Sequence, residues 1–273
     1  MTDSIGATIC SRNDNYGGDL DKKFTVGLNS LIRELDEVYY IDWNSPNDVT
    51  LFDVVRDSIT KTGKLHVITV TQEQAKELTN FNPDVQACVE VLARNIGVRR
   101  LSTDWIISTN SDIMISSRAN IEQGLIDKQT FHCIARTEVQ FTTNPPYYLG
   151  EGFQHATGSP LGERDKWSLI TCPGDFQLAH RDLWHSIKGF DENLVYRGYG
   201  DSNVQRKADY YGFKLALIRS IQAFHFAHYP NHGASGGHFG GFNNPETALF
   251  DYQGSSNPET WGFADVTFKE EVV

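Results

Sequence analysis

The sequence lacks the features that tie a chain to a membrane. No apolar run approaches the roughly 20 residues that a membrane-spanning helix requires. The first residues also show no basic region followed by an apolar stretch, as a signal peptide would. We therefore expect a soluble protein of the cytoplasm, without a transmembrane anchor.

Positive charge is scarce. Lys and Arg total 24 against 35 Asp and Glu, which gives a net charge of -11. Such a chain repels a phosphate backbone, so no nucleic-acid partner is expected. A nucleotide is a different case, because a metal ion and oriented backbone N–H groups overcome an unfavourable overall charge locally.

Three common site patterns are absent. The four cysteines are widely spaced and form no Cys-x-x-Cys pair, so we expect reduced, buried thiols rather than a zinc or redox site. The turn after the first predicted strand has no Gly-x-Gly-x-x-Gly, which argues against a dinucleotide-dependent oxidoreductase. Gly17-Gly18 follows late and without a lysine, which argues against a sugar-phosphate nucleotidyltransferase.

Strand and helix patterns alternate over the first 115 residues. This alternation predicts an α/β fold with a mostly parallel, Rossmann-like central sheet flanked by helices. The predicted strands are Ile5 to Cys10, Val38 to Ile41, Leu65 to Val70 and Trp105 to Thr109. Apolar spacing predicts a helix at 84–99 and a helical stripe from Leu51 to Ile59, and two late strands are predicted at 213–218 and 223–226. Loops rich in glycine and proline interrupt the later part. We expect a single domain over 1–273.

The triplet Asn110-Ser111-Asp112 follows the last of these strands. In open α/β sheets, ligands bind outside the carboxyl ends of the strands. A carboxylate there suits a divalent cation that neutralises a diphosphate leaving group. An Asx turn with no ligand is the alternative interpretation.

The segments before the triplet, 93–97 and 102–108, resemble the approach to the Asp-x-Asp motif of GT-A glycosyltransferases. Asp42-Trp43-Asn44-Ser45 resembles that family's Asp-x-x-Ser. Ser11-Arg12-Asn13-Asp14 lies where the family's nucleotide pocket begins. The resemblance implies a donor of the UDP or GDP type and Mn²⁺ or Mg²⁺ as cofactor. It implies that the half 1–115 binds the nucleotide sugar through Ser11, Arg12, Asp42, Arg94, Asn110 and Ser111.

The second half, 116–273, resembles the galactosyltransferase-like branch in three short motifs and is expected to bind the acceptor and carry catalysis. The motifs are 173–176, 187–192 and 198–201. Two departures stand out. Asn110 replaces the first acidic position of Asp-x-Asp, and the branch's Gly-Trp-Gly-x-Glu-Asp is shortened to the segment 198–203.

Candidate catalytic groups follow from the need for a carboxylate that takes the proton of the acceptor hydroxyl. Asp201 is the first candidate, and an ordinary helix N-cap is its alternative role. Asp175 is the second candidate, with a turn residue or a ligand of acceptor hydroxyls as its alternative role.

Histidines and aromatic residues complete the predicted site. His228 or His225 is expected to join Asp112 and Asn110 at the metal, because the segment 224–230 resembles a GT-A strand that supplies a histidine. An imidazole ligand favours Mn²⁺ over Mg²⁺. Trp167 and Tyr147 are expected to contact the acceptor through their aromatic faces, with packing of the long loop as the alternative.

The predicted function is a metal-dependent glycosyltransferase that moves a sugar from a nucleotide-diphosphate sugar to a hydroxyl of a glycan or glycoprotein. A catalytically weak or inactive carbohydrate-binding relative stays open because of Asn110. A sugar-phosphate nucleotidyltransferase is the remaining alternative.

Overall fold

A computed structural model describes residues 3–79, 88–115, 117–125, 127–139, 176–195, 200–226 and 256–273, with only the backbone for 135–138 and 219–222. The strands in this part are β1 (Ile5–Ser11), β2 (Glu37–Trp43), β3 (Leu65–Val70), β4 (Trp105–Asn110), β5 (Ile113–Ile115), β6 (Thr130–Val139), β7 (Phe176–His180), β8 (Lys214–Phe226) and β9 (Lys269–Val272). The helices are α1 (Leu20–Glu34), α2 (Leu51–Val55), α3 (Gln72–Thr79), α4 (Glu90–Arg100), α5 (Arg118–Gly124), α6 (Arg181–Ser186) and α7 (Gly200–Tyr210).

The nine described strands form one sheet in the order β5-β8-β6-β7-β4-β1-β2-β3-β9. Its nucleus, β4-β1-β2-β3, is entirely parallel. Strand β7 is antiparallel to both β4 and β6, so β6 and its parallel partner β8 point the same way as the nucleus. Only β5, β7 and β9 run in the opposite direction within the described part. The predicted α/β fold with a mostly parallel sheet is confirmed.

Both faces of the nucleus are buried, which explains why its strands are apolar at almost every position. Alternate residues of β1, such as Ile5, Ala7 and Ile9, belong to the cluster formed with α1 and α2. Cys10 belongs to the opposite cluster, with α4, α6 and α7. The apolar stripe of α1 is fully buried at Phe24, as the helical spacing predicts.

Two local predictions need correction, and one strand was not predicted. The apolar stripe from Leu51 to Ile59 is helical only to Val55 and then forms a short 3₁₀ turn at Arg56–Ser58. The two late strands predicted at 213–218 and 223–226 are one strand, β8, whose register against β6 shifts between Ile134 and Arg136. The edge strand β9 was not predicted, because its short charged sequence has no apolar alternation.

The end of the chain also packs against α4. Trp261 is buried beside Arg99, whose guanidinium carbon lies 4.9 Å from the indole centroid. Arg100 donates hydrogen bonds to the carbonyls of Gly262 at 2.8 Å and Phe263 at 3.0 Å. These contacts anchor the carboxyl-terminal end of α4, the helix that carries Arg94.

Close packing joins α1 to the backbone that follows β4. A Cβ atom at Gly27 would lie 2.7 Å from the carbonyl oxygen of Ile113 and 3.2 Å from that of Ser111. The first distance is far below ordinary van der Waals contact, so only glycine lets the helix approach this backbone. The triplet Asn110-Ser111-Asp112 is therefore held against α1.

We expect Gly27→Ala to lower the free energy of unfolding by about 1–3 kcal/mol, as overpacked positions do. Helix propensity alone predicts the opposite sign, because alanine stabilises a helix interior by roughly 1 kcal/mol relative to glycine. Urea denaturation followed by circular dichroism measures the difference. Val26→Ala, at a half-buried position of the same helix, is the control. A stabilised Gly27→Ala variant would contradict the packing described.

Candidate functional site

The parallel register brings the predicted donor residues to one edge of the sheet. Ser11 is paired with Asp42 between β1 and β2. Cys10, one residue earlier, is paired with Asn110 between β1 and β4. The carboxyl ends of these three strands therefore lie side by side, as expected for a ligand site of an open α/β sheet.

A buried chain of hydrogen bonds links Ser11 to Asp42 through Tyr40. The Tyr40 hydroxyl donates to Oδ1 of Asp42 at 2.7 Å, and it lies 2.9 Å from Oγ of Ser11. Because the single phenolic proton is given to Asp42, the Ser11 hydroxyl donates to Tyr40. Burial, reinforced by the charge of Asp42, raises the pKa of Tyr40 well above its usual value. Tyr40 thus stays protonated and holds the carboxylate in place.

One oxygen of the Asp42 carboxylate is hydrogen-bonded, and the other is open, without a hydrogen-bond partner among the described residues. Oδ1 also accepts a hydrogen bond from the Leu51 amide at 3.1 Å, at the start of α2. Oδ2 is buried without a hydrogen-bond partner among the described residues. Burial raises the pKa of Asp42 to about 6, against the opposing hydrogen bonds of Ser45, Tyr40 and Leu51. A buried, unpaired acceptor is costly, and a ligand N–H or O–H would satisfy it.

The loop after β1 brings Arg12 to the same edge. The Asn13 amide donates to Oγ of Ser45 at 2.9 Å, which joins this loop to the one after β2. Within the described part, Nε of Arg12 is buried and makes no hydrogen bond. Burial raises the pKa of Asp14, and the nearby charge of Arg12 opposes that rise. Arg12 therefore provides a cation at the carboxyl edge of the sheet.

Arg94 of α4 contacts the side chain of Asn110 and is almost fully buried, at 4% exposure. Its guanidinium donates to Oγ of Ser108 at 3.2 Å and to the side-chain oxygen of Asn110. It also contacts Glu90 at 3.3 Å and lies 5.8 Å from the ring centroid of Phe190. The amide of Asn110 is thus oriented with its oxygen toward a fixed positive charge.

Asp112 and His225 form a close pair. Oδ2 of Asp112 lies 3.2 Å from Nε2 of His225, and both side chains are at least nine-tenths buried. The antiparallel pairing of β5 with β8 sets Ile113 opposite His225, and the Phe226 amide donates to the Asp112 carbonyl at 3.1 Å. Sheet pairing, rather than a local motif, therefore brings the two side chains together.

This pair fits a divalent cation in its donor chemistry. A carboxylate oxygen and an imidazole nitrogen this close can serve one ion once the proton on Nε2 is absent. The described residues contain no group of three or more His, Cys, Asp or Glu side chains arranged for a metal. The oxygen of Asn110 is already an acceptor for Arg94. Asp112 and His225 are thus the metal-ligand candidates that the structure brings together.

Lys23 is a residue of this region that the sequence motifs do not reveal. Its side chain is only 4% exposed, and its ammonium donates to the carbonyl of Gly17 at 3.0 Å. Burial lowers its pKa, while the charges of Asp112 and Asp19 oppose that shift. The sequence does show a lysine within the apolar stripe of α1, near Leu20 and Phe24, and this pattern could have indicated that Lys23 is buried.

Asp201 lies in the first turn of α7, which begins at Gly200. Its carbonyl oxygen accepts hydrogen bonds from Gln177 at 2.9 Å and Gln205 at 3.4 Å. Gln177 is fully buried and is paired with Ser108 across β7 and β4. Because Ser108 accepts a hydrogen bond from Arg94, α7 starts near Arg94. One carboxylate oxygen of Asp201 accepts from the Ser202 amide at 2.9 Å.

Four predicted site residues lie outside the described residues: Asp175, His228, Trp167 and Tyr147. They stay predictions. The motif at 187–192 is described, and it contacts α4, α6, α7 and the end of the chain. Asn95 exchanges hydrogen bonds with the backbone of Phe190, and Glu192 accepts from Asn95 at 3.0 Å and from the Gly262 amide at 2.7 Å. This motif supports Arg94 through Phe190.

Solved structures resemble this chain, although no protein-family model and no curated protein sequence matches it. GalNAc-T7, solved with UDP, GalNAc and Mn²⁺, has a TM-score of 0.59 at 14% identity, over 83% of this chain and 44% of that one. The mannosyltransferase PcManGT from Pyrobaculum calidifontis, solved with GDP-Man and Mn²⁺, has a TM-score of 0.53 at 14% identity, over 86% and 59%. S. aureus TarS has a TM-score of 0.51 at 14% identity, over 82% and 37%.

These neighbours are GT-A glycosyltransferases. The chain has the GT-A fold. The predicted resemblance is thereby confirmed at the level of the fold. The match spans between 37% and 59% of the length of these three proteins. Within the described part of this GT-A chain, no helix is both long and apolar enough to cross a membrane.

We expect Asp42→Asn to change how stability depends on pH. The folded-state pKa of about 6 lies above the ordinary 3.8. Protonation of Asp42 therefore stabilises the folded native protein as the pH falls through 6 toward 4. The asparagine variant loses this gain. Its stability relative to the native protein should be about 2 kcal/mol more favourable at pH 7.5 than at pH 4.5. Urea denaturation at both pH values measures this, with the exposed Asp57→Asn as control. If the free energy of unfolding changes with pH in the same way for Asp42→Asn and the native protein, the raised pKa of Asp42 is disproved.

Proposed function

We propose that this chain is a glycosyltransferase that moves a sugar from a UDP- or GDP-type donor to a hydroxyl of a glycan or glycoprotein, with Mn²⁺ as cofactor. The observation that carries the proposal is the buried Asp112–His225 pair, with its 3.2 Å separation, beside the carboxyl end of β4 in a GT-A fold. The bound ligands of two neighbours support it. GalNAc-T7 was solved with UDP, GalNAc and Mn²⁺, and PcManGT with GDP-Man and Mn²⁺.

The half formed by 1–115 would bind the nucleotide. Asp42 presents its open oxygen to an N–H of the base or to a ribose hydroxyl, while Tyr40 and Leu51 hold the other oxygen. Ser11, whose proton is given to Tyr40, is left with an oxygen that accepts hydrogen bonds. Arg12 supplies a cation at the carboxyl edge of the sheet.

The diphosphate would lie over the triplet 110–112. Arg94 holds the Asn110 amide, and Ser111, between Asn110 and Asp112 in sequence, is the remaining proposed donor contact. When bound, a divalent cation at Asp112 and His225 would neutralise the negative charge that develops on the leaving diphosphate. The imidazole ligand favours Mn²⁺ over Mg²⁺.

The half formed by 116–273 would bind the acceptor. We propose Asp201 as the base that takes the acceptor proton, since Gln177 and Gln205 hold its backbone near Arg94. Asp175 is the second candidate, His228 an additional metal ligand, and Trp167 and Tyr147 the aromatic contacts to the acceptor.

An inactive carbohydrate-binding relative is the second candidate function, favoured by one observation. Asn110 carries no charge, and its oxygen already accepts a hydrogen bond from Arg94, so the usual pair of acidic side chains is absent from the triplet. Glycan binding by the native protein without affinity for UDP or GDP would favour this candidate.

Hydrolysis of UDP- and GDP-sugars tests the proposed function. With Mn²⁺ we expect slow turnover of at least one donor, and Asp112→Ala should reduce it by 100-fold or more, on the order of the loss of a key electrostatic group. Asp265→Ala, which removes an exposed carboxylate, should leave turnover unchanged. Product nucleotide is measured by chromatography. Equal turnover in Asp112→Ala would refute the metal assignment, and no binding of any nucleotide would refute the function.

Asp201→Asn separates chemistry from donor binding. The amide keeps an acceptor for the Ser202 N–H but loses the base, so kcat for transfer should fall roughly 10²–10⁴-fold. The Kd of the nucleoside diphosphate should stay within about twofold, as expected where no binding contact is lost. Asp209→Asn, at the other end of α7, is the matched control. A large loss of nucleotide affinity in Asp201→Asn would instead indicate a role in binding.

A further inference from the structure

Lys23 carries a buried charge with unused hydrogen-bonding capacity. An ammonium has three N–H donors. Among the described residues it has one acceptor, the Gly17 carbonyl at 3.0 Å. The side chain is only 4% exposed, so solvent reaches little of it. An ionised lysine in this position is costly unless opposite charge lies nearby.

The geometry of α1 directs Lys23 toward the triplet. Lys23 and Gly27 are four residues apart and share one face of the helix. Gly27 abuts the carbonyls of Ser111 and Ile113. Helix α1 follows β1, so its first turn, with Lys23, lies at the carboxyl edge of the sheet. Burial lowers the pKa of Lys23, and the nearby charge of Asp112 opposes that shift.

The charges around the triplet are therefore unusual for a site that holds a cation. Asn110 contributes no negative charge, Arg94 donates a hydrogen bond to it, and Lys23 lies within electrostatic range of Asp112. Lys23 and Arg94 are thus two cations beside the triplet, whose single carboxylate is that of Asp112, while Glu90 pairs with Arg94 and Asp19 also acts on Lys23. The Lys23 charge attracts a diphosphate even without a metal ion and weakens the binding of a metal ion that arrives alone.

We propose that Lys23 is a cation of the diphosphate subsite, which supplies positive charge to the diphosphate and makes metal ion and nucleotide bind mainly together. The proposal rests on the proposed function. It assigns to Lys23 a contribution to nucleotide affinity that persists when the metal is removed.

The test uses Lys23→Met, which keeps the length of the side chain and removes its charge. The control is Lys22→Met, because the neighbouring Lys22 side chain is 48% exposed and pairs with Asp19. Calorimetry measures two dissociation constants for each protein. One is for UDP and GDP in EDTA, and the other is for Mn²⁺ without nucleotide.

We expect the two constants to move in opposite directions in Lys23→Met. Nucleoside diphosphate in EDTA should bind about tenfold more weakly, and Mn²⁺ alone about tenfold more tightly, as expected for the loss of one nearby charge partly screened by salt. Lys23→Arg should retain the native values, and Lys22→Met should change neither constant.

A purely structural role predicts a different result. If Lys23 serves only to hold the loop at Gly17 against α1, its loss weakens the binding of nucleotide and the binding of Mn²⁺ together. That outcome overturns the proposal. Unchanged nucleotide affinity in EDTA overturns it as well. If the native protein binds neither UDP nor GDP even with Mn²⁺, the proposed function itself fails. A failure confined to Lys23→Met leaves that function standing.

Discussion

The parallel pairing of β1 with β2 and β4 is the constraint on which the rest of the structure depends. Because these strands run in the same direction, their carboxyl ends emerge at one edge, where Ser11, Asp42 and Asn110 lie at nearly the same level. No local motif produces this arrangement. A shift of one residue in either pairing would turn the polar ends of the strands away from each other and reverse the faces of the sheet.

Polar groups at this edge are buried more deeply than stability alone would favour. The open oxygen of Asp42 and the ammonium of Lys23 both lie out of water, and Arg94 is buried beneath Asn110. Each burial has a stability cost that a more exposed side chain would avoid. Clusters of this kind are typical of ligand sites, where a bound group satisfies what the protein leaves open. The concentration of such groups at one sheet edge is the strongest structural argument for function here.

Close helix packing keeps these groups in position. Gly27 lets α1 touch the backbone after β4, and Gly97 lets α4 lie directly on Thr8 of β1. Helix α4 is held at its far end by Arg100 and Trp261, so Arg94 has little freedom to move. The end of the chain, although distant from the site, thus contributes to its rigidity.

The fold class, the buried strands of the nucleus and the positions of Asp42 and the triplet 110–112 at strand ends could be predicted from the sequence alone. These properties depend on residues close together along the chain, where alternation and turn composition are visible. The three-dimensional structure was needed to show that Tyr40 joins Ser11 to Asp42, that His225, one of two predicted histidines, lies 3.2 Å from Asp112, and that α1, which carries Lys23, packs against the same triplet. Those contacts depend on strand register and helix packing between segments far apart in the chain. Local patterns carry little information about such contacts, because each one is the sum of many weak interactions over the whole sheet.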